Sequence, residues 1–355
     1  MTLEALGWDP FFAGHFAAGA TQGLVPGRVM SEHRGQYQVE TTQGEMPARL
    51  TGRVRGQAAT REHLPVVGDW LALEVLDERP PQAIVRGVLP RKSKLSRREP
   101  GSGRDEQPLA ANIDTVFLTI GLDGNYRVSR IERYLTFAWS SGATPVVLLT
   151  KADLCPERAE RVRQAQAVAG QAPVHALSVV TGEGLEALAQ YLRPGHTLAL
   201  LGSSGVGKST LINHLHGSDA QRTQAVRAGD DKGRHTTTHR QLFVLPSGAL
   251  ILDTPGLREL QLWDAEEGLA TTFADIEALA ARCRFADCRH RHEPGCQVKE
   301  AIAAGTLDAA RLERYRKLSH ETHSAASIQE MLKTTEGRQR RKLAKMFAEM
   351  SKRPR

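Results

Sequence analysis

Apolar and polar residues alternate over several short segments in the first quarter of the chain. Between residues 25 and 90 these segments have the two-residue period of half-buried strands and are separated by Gly or Pro. GRVMSEHRGQYQVETTQ predicts a hairpin, and VVGDWLALEVL predicts a further strand. Five or so short strands of this kind indicate a small β-barrel of the OB type, although a small open sheet would give a similar pattern.

From residue 113 the pattern changes to apolar strands that alternate with amphipathic helices. DTVFLTIG, TPVVLLT, TLALLG and ALILD are separated by helical segments such as SRIERYLTFAWSSG, in which Ser129 is a candidate N-cap. This alternation is typical of a mostly parallel sheet with helices on both faces. We therefore predict an α/β domain over residues 113–275.

The segments around these two units have weaker patterns. Residues 1–24 are rich in Gly and Ala without a clear period, so we predict a mobile leader. Residues 91–112 contain Pro, Gly and basic residues and predict a basic linker. Residues 276–355 are helical in pattern and end in a basic tail.

The composition is that of an ordinary globular protein. The chain has 355 residues, which suits two or three domains, and 40% of them are hydrophobic. No apolar stretch is long enough to cross a membrane, and the first residues lack a signal-peptide pattern. We expect a cytoplasmic protein without a membrane partner.

The net charge of +7 is concentrated at the C-terminus. Residues 338–355 contain eight basic residues against one acid, Glu349, which accounts for the whole excess. A second basic run, RKSKLSRR at residues 91–98, contains no acid. Two such segments favour a polyanionic partner, of which nucleic acid is the commonest. Either segment alone could equally be a solvated, flexible stretch.

A phosphate-binding pattern, G-x-x-x-x-G-K-[ST], occurs once, as GSSGVGKS. It follows the apolar strand TLALL and precedes the helical segment STLINHL, which is the context that the pattern requires. Backbone N–H groups would face phosphate oxygens, Lys208 would reach the terminal phosphates, and the Ser209 hydroxyl would bind Mg²⁺. The predicted nucleotide-binding residues are Gly202, Ser203, Ser204, Gly205, Val206, Gly207, Lys208, Ser209 and Thr210.

Two later segments suit the parts of such a site that respond to a γ-phosphate. DTPG follows a strand, so that Asp253 would hold Mg²⁺ and the Gly256 N–H would contact the γ-phosphate. DDKGRHTTTH is typical of a switch loop, whose metal-binding residue would be Thr236, Thr237 or Thr238.

TKAD, which follows the strand TPVVLLT, is a candidate base-binding loop. The Asp153 carboxylate can accept hydrogen bonds from the N1–H and N2–H₂ edge of guanine, and the stem of Lys151 can pack on the ring. Thr150 and Ala152 complete this loop. SVVTGEG, from Ser178, is a candidate second base loop, although an ordinary turn would look the same. The sequence therefore predicts guanine nucleotide binding, with GTP as substrate.

The base-binding loops precede the phosphate loop, whereas the opposite order is usual. Joining the ends of a domain and cutting it elsewhere can leave a site intact, because domain termini tend to lie close together. We therefore predict a circularly permuted P-loop GTPase domain. Leu257 stands where many GTPases have a water-orienting Gln, so His235 is a candidate for that role beside the catalytic groups Lys208 and Gly256. Alternatively, His235 is a polar loop residue that contacts phosphate or RNA.

Three of the four cysteines lie close together with two histidines. Three thiolates and one imidazole at this spacing suit a closed, structural Zn²⁺ site. The candidate ligands are Cys283, Cys288 and Cys296 with either His290 or His292.

The permuted motif order, the preceding barrel and the segment CRFADCRHRHEPGC resemble the family of bacterial ribosome small subunit-dependent GTPase A, over roughly residues 25–320. The resemblance implies an OB-type barrel, a circularly permuted GTPase domain and a C-terminal helical zinc-binding domain, with His290 as the fourth zinc ligand. It also implies a late-assembly factor that binds the small ribosomal subunit and its rRNA, hydrolyses GTP there, and leaves with or after another assembly factor. We expect it to act as a monomer.

Two other hypotheses fit the same residues. An RNA-binding scaffold that keeps GTP as a structural ligand would explain Leu257 and the unusual Thr150. A permuted GTPase that acts on the large subunit or another RNA would share the same nucleotide motifs.

Overall fold

The computed structural model describes residues 1–33, 35–52, 61–98, 106–124, 126–217, 240–253 and 265–322. The strands in these residues are β1 (Val25–His33), β2 (Gln36–Thr41), β3 (Gly44–Leu50), β4 (Trp70–Leu76), β5 (Gln82–Val88), β6 (Lys94–Arg98), β7 (Glu106–Ala111), β8 (Thr115–Gly121), β9 (Thr144–Thr150), β10 (Val174–Ala176), β11 (Thr197–Leu201), β12 (Arg240–Val244) and β13 (Leu250–Asp253). Eleven of them form one sheet in the order β10-β9-β8-β11-β13-β12-β1-β2-β3-β5-β4, and β6 pairs with β7.

The first five strands close into a barrel. β1 pairs with β2 along most of its length and with β4 at Val25–Arg28, while β3 pairs in parallel with β5 and β4 pairs with β5. Alternate residues along these strands point into the barrel and are buried, as Val39 on β2 and Met46 on β3 illustrate. The prediction of a closed OB-type barrel is confirmed.

The remaining six strands form the α/β part of the sheet. β10, β9, β8, β11 and β13 run parallel, and β12 is antiparallel to β13. Along β8, Val116, Leu118 and Ile120 pack into one core, whereas Phe117 packs into the core on the other face. The sheet is therefore covered on both faces, which confirms the predicted α/β class. The sequence analysis missed β12.

Helices lie between the strands and in the C-terminal part of the chain, and one helix lies in the N-terminal segment, where none was predicted. They are α1 (Pro10–Ala20), α2 (Val128–Ser140), α3 (Arg158–Ala169), α4 (Lys208–His216), α5 (Glu266–Thr272), α6 (Ala274–Ala280), α7 (Gln297–Ala303) and α8 (309–322). Helix α2 has Arg127 at its N-cap position, so the prediction of Ser129 there was wrong by two residues. GLEALAQYL forms a 3-10 helix at Leu185–Tyr191.

The barrel and the α/β part share backbone hydrogen bonds. The end of β1 pairs with the start of β12, where Ser31 lies opposite Gln241 and Glu32 lies opposite Arg240. This pairing makes the two parts one continuous sheet.

The prediction of a mobile leader over residues 1–24 was wrong. Asp9 caps α1, because its carboxylate accepts hydrogen bonds from the backbone N–H groups of Phe11 and Phe12. Phe12 and Phe16 on that helix are buried, and the Trp8 ring packs edge-on at 4.7 Å from Trp70 of the barrel. The leader therefore belongs to the barrel core.

The basic linker prediction at residues 91–112 was also wrong. These residues contain the β6–β7 ribbon, and three of their cations, Arg91, Lys92 and Lys94, have acidic partners. Arg91 makes two 2.8 Å hydrogen bonds to the buried Asp69, while Lys94 binds Glu62 and Glu106 at 2.7 and 2.9 Å. These charges are neutralised within the fold, so this run offers less positive charge to a partner than its sequence indicates.

The C-terminal helices dock against α2 through a buried ionic network. Both oxygens of the fully buried Glu132 accept hydrogen bonds, from Arg311 at 2.9 Å and Arg314 at 2.5 Å. Arg311 also binds Asp275 on α6. Burial raises the pKa of the Glu132 carboxyl, and the hydrogen bond from Arg314 opposes that shift. The predicted domain boundary after residue 275 falls inside α6.

Removing the buried ring in Phe12→Ala should lower the free energy of unfolding by about 3–5 kcal/mol, because it opens a cavity against Trp70 and Trp8. Phe11→Ala is the matched control, since the Phe11 side chain on the same helix is 37% exposed. Urea denaturation of both variants measures the difference. Equal stabilities would contradict the packing described for this helix.

Candidate nucleotide-binding site and cysteine–histidine cluster

The predicted nucleotide-binding loops meet at one edge of the sheet. Because β8, β9, β11 and β13 are parallel, the segments that follow them leave the sheet on the same side. These segments carry Asp123 after β8, Thr150–Asp153 after β9, and Gly202–Gly207 after β11. The structure thus brings together motifs that lie far apart in the sequence.

The phosphate loop has the geometry that its glycines permit. A Cβ on Gly202 would collide with the Thr119 carbonyl oxygen, so the close approach of the loop to β8 requires glycine. Gly205 and Gly207 have φ angles of 77° and 96°, which favour glycine, and no neighbouring atom fills the space beside them. The loop thereby leaves open space at Gly205 and Gly207, directly before α4, and a helix N-terminus of this kind is suited to bind a phosphate group.

The polar side chains of this loop are positioned for an anion. The Lys208 ammonium donates to the carbonyls of Gly202 and Ser203 at 2.6 and 2.7 Å, which holds it at the mouth of the loop. The buried Ser203 hydroxyl has no hydrogen-bond partner among the described residues. Ser204, Ser209 and Thr210 are exposed, whereas Val206 is buried.

Thr150 connects the base-binding loop to the phosphate loop. Its buried hydroxyl donates to the Val206 carbonyl at 2.6 Å. The next residue, Lys151, has a left-handed φ of 59°, and its ammonium lies 2.8 Å from an Asp123 carboxylate oxygen. Asp153 is exposed at the turn that follows. The sequence analysis missed Asp123, although an acid directly after a strand of the same parallel sheet was a usable signal.

The second base loop lies beside the first. The Ala152 N–H donates to the Leu177 carbonyl at 3.1 Å, which ties the two loops together. Ser178 is buried, and its hydroxyl accepts a hydrogen bond from the Thr181 N–H. The loop therefore has a fixed turn that borders the space next to Asp153.

Several predicted residues lie outside the described part of the chain. They are His235, Thr236, Thr237 and Thr238 of the switch loop, Gly256 and Leu257, and the basic tail. Asp253 is the last residue of β13, at the same edge of the sheet, but its side chain is outside the description.

The cysteine–histidine cluster consists of Cys283, Cys288, His290 and Cys296, whose ligand atoms lie within 4.8 Å of one another. The Sγ atoms of Cys283 and Cys296 are 3.9 Å apart, and His290 Nδ1 lies 3.7 and 3.4 Å from them. In a tetrahedral site with Zn–S bonds of about 2.3 Å, neighbouring ligand atoms lie about 3.5–3.8 Å apart. The donor set and its spacing therefore fit Zn²⁺.

The loop around His290 holds this residue in position. Its backbone adopts a left-handed φ of 58°, and its carbonyl accepts a hydrogen bond from Arg316 at 2.5 Å. Burial, followed by the charge of Arg316, lowers the pKa of the His290 imidazole and favours the neutral form that binds metals. Glu293 accepts hydrogen bonds from three neighbouring backbone N–H groups. His292 is exposed and lies outside the cluster.

A strand–loop–helix phosphate site in a parallel sheet, with the base-binding loops placed earlier in the chain, defines the class of circularly permuted P-loop nucleotide-binding proteins. The sequence model of the RsgA GTPase family matches residues 88–263. A model of ABC transporters also matches, over residues 185–352, a range that contains the same phosphate loop. The chain belongs to the RsgA GTPase family and is a GTPase, as the relatives below establish.

Similar proteins span nearly the whole chain. The small ribosomal subunit biogenesis GTPase RsgA of Opitutus terrae is 46% identical over 92% of this chain and 91% of that protein. Its namesake from Syntrophotalea carbinolica is 43% identical over 96% of this chain and 95% of that protein.

Solved structures show the same fold. YjeQ from Thermotoga maritima has a TM-score of 0.64 and 29% identity, covering 84% of this chain and 98% of that one. YloQ, a circularly permuted GTPase, has a TM-score of 0.61 and 22% identity over 85% of this chain and 96% of its own. The likeness to YloQ supports the fold alone. The circular permutation predicted from the motif order is thereby confirmed.

Among the described helices, none combines the length and apolar character needed to cross a membrane.

Thr150→Val should weaken guanine nucleotide binding about five- to thirty-fold, because the isosteric side chain leaves the Val206 carbonyl without its donor. Titration with a fluorescent GDP analogue measures the affinity. Thr150→Ser, which keeps the hydroxyl, is the matched control and should bind within about two-fold of the native chain. If Thr150→Val bound equally well, the phosphate loop would not depend on this contact.

Proposed function

We propose that this chain is a GTPase that acts in the late maturation of the small ribosomal subunit. In this proposal the subunit and its rRNA stimulate GTP hydrolysis, and hydrolysis is coupled to release from the subunit, with or after another assembly factor. The main support for this proposal is the 46% sequence identity, over 92% of this chain, to a protein named small ribosomal subunit biogenesis GTPase RsgA. A complete phosphate loop with an open anion-binding surface supports turnover.

The nucleotide would occupy the edge of the sheet where the loops meet. The phosphates would lie on the backbone N–H groups of the phosphate loop, with Lys208 turning from its carbonyl partners to the terminal phosphate oxygens. Ser209 and Asp253 would hold Mg²⁺. Guanine would be selected by Asp153, while Lys151, oriented by Asp123, would pack along the base. Ser178 would support the second base loop.

The residue after Gly256 is the reason to expect that the subunit activates hydrolysis. Leu257 cannot orient a water molecule, so the free protein should hydrolyse GTP slowly. His235 would take this role when the small subunit is bound, and the Gly256 N–H would contact the γ-phosphate.

A single structural Zn²⁺ completes the proposal. Cys283, Cys288, His290 and Cys296 would fill all four tetrahedral positions, so that no open position remains for catalysis. The metal would stabilise a loop that has few apolar residues of its own to bury.

The function is tested by GTP hydrolysis with the purified chain alone, with small subunits, with large subunits and with naked rRNA. Small subunits should raise turnover at least about ten-fold and the other additions should not, while ATP in place of GTP should give no subunit-dependent turnover. His235→Ala should keep GTP affinity and lose the stimulation.

Other outcomes of this assay would replace the proposal. Tight, GTP-dependent binding to small subunits without faster hydrolysis would indicate an RNA-binding scaffold. Stimulation by large subunits instead would indicate a GTPase for another ribosomal particle.

Cys288→Ala should lose most of the bound zinc, because three remaining ligands hold the metal less tightly than four. Elemental analysis after gel filtration measures the zinc per chain. Cys155→Ala is the matched control, since Cys155 is outside the cluster. Full zinc content in Cys288→Ala would contradict the proposed ligand set.

A further inference from the structure

An aromatic ring is exposed between two cysteines of the cysteine–histidine cluster. Phe285 lies between Cys283 and Cys288, and 40% of its surface is accessible. The other exposed large hydrophobic residues of the described chain, such as Phe11 and Val180, lie in other parts of the fold. A single exposed Phe is common on protein surfaces, so the significance of Phe285 depends on the groups around it.

The backbone fixes the position of this ring. The Phe285 carbonyl accepts a hydrogen bond from the Cys288 N–H at 3.2 Å, and the Arg284 N–H donates to the Gly295 carbonyl at the same distance. The Arg284 guanidinium lies over the ring, 5.5 Å from its centroid. The ring is therefore held between a cation and solvent, on a loop whose geometry suits a metal site.

The segment that carries the ring is rich in arginine. Arg282, Arg284, Arg289 and Arg291 are exposed, and none of them takes part in an ion pair among the described residues. Two acids lie on the same segment, Asp287 and Glu293, and the Glu293 carboxylate accepts hydrogen bonds from three backbone N–H groups. Four arginines against these two acids leave a net formal charge of +2 over residues 282–293.

An exposed aromatic ring with arginine side chains nearby is a combination that binds single-stranded nucleic acid. Bases stack on aromatic rings irrespective of sequence, while arginines contact the phosphates. Protein partners would be favoured by a wider apolar patch, and double-stranded RNA offers no unstacked base to the ring.

We propose that Phe285 and its surrounding arginines form a platform on which an unpaired RNA base stacks. The inference rests on the proposed function for the identity of the RNA, which would be an unpaired segment of small-subunit rRNA. The stacking itself is a property of the loop and can be measured with a model RNA.

The test compares binding of the full, zinc-loaded chain to an oligouridine of about 12 nucleotides and to an RNA duplex of about the same length. Phe285→Ala should weaken binding to the single strand about five- to 150-fold, the range for removal of one base stack, and leave duplex binding within about two-fold. Phe285→Leu, which keeps apolar bulk without a π face, should behave like Phe285→Ala. Phe11→Ala is the control for an exposed aromatic residue elsewhere.

Phe285→Trp gives a direct readout that does not depend on the total affinity. It should bind oligouridine as the native chain does, and its added fluorescence should be quenched on binding. The platform would be wrong if Phe285→Ala kept the native affinity, or if it lost affinity equally for the single strand and the duplex. It would also be wrong if the indole fluorescence of Phe285→Trp were not quenched on binding. Native-like affinity of Phe285→Leu would indicate an apolar contact, such as a protein partner makes, and would also overturn it.

The arginines are tested by the salt dependence of binding. Replacing Arg289 and Arg291 together by Gln should reduce the slope of log K against log salt by about 1.4, or about 0.7 for each phosphate that is no longer neutralised. Arg163→Gln, on the exposed face of α3, should leave the slope unchanged. An unchanged slope in the double variant would remove these arginines from the platform.

The two proposals can fail separately. If small subunits stimulate the native chain but Phe285→Ala binds oligouridine normally, the platform is wrong and the function stands. If small subunits have no effect while the Phe285 variants lose oligouridine, the function is wrong and the platform stands.

Discussion

The parallel pairing of β8 with both β9 and β11 is the constraint on which the nucleotide site depends. It sends the base-binding loops and the phosphate loop to the same edge of the sheet, whatever their order along the chain. The hydrogen bond from Thr150 to the Val206 carbonyl then joins two loops that are 56 residues apart. A permuted order of motifs along the chain changes none of these contacts, because the direction and the neighbours of each strand define the edge. The site therefore survives the permutation without any special residue to compensate for it.

The sequence predicted the features that local patterns encode. The phosphate loop, the strands β8, β9, β11 and β13, and the cysteine–histidine cluster all have their signals within a few adjacent residues. The packed N-terminus was missed because Phe12 and Trp8 pack against Trp70, which lies far along the chain from them. The available positive charge of residues 91–98 was overestimated for the same reason, since Arg91 is neutralised by Asp69 on the barrel. Long-range partners are invisible to a local pattern.

Arg28 shows how the N-terminus, the barrel and the α/β part are held together. This fully buried guanidinium donates to the carbonyls of Leu6, Gly68 and Asn112, one from each of three segments. Burial lowers its pKa to about 10, and the nearby charges of Asp114 and Asp69 limit the shift. The group therefore stays charged at neutral pH. Its three hydrogen bonds therefore link the N-terminal segment, the barrel and the segment that precedes β8.

Both segments that are proposed to respond to the γ-phosphate are followed by elements that pack against neighbouring parts of the fold. Residues 218–239 lead directly into β12, whose first residues pair with β1 of the barrel. Residues 254–264 lead into α5, which lies so close to α2 that a Cβ on Gly268 would collide with the Thr136 carbonyl oxygen and the Ser140 hydroxyl. Helix α2 is in turn bound to α8 through Glu132. If the two segments respond to the nucleotide as proposed, their movement would act on elements that contact the barrel on one side and helices α2 and α8 on the other.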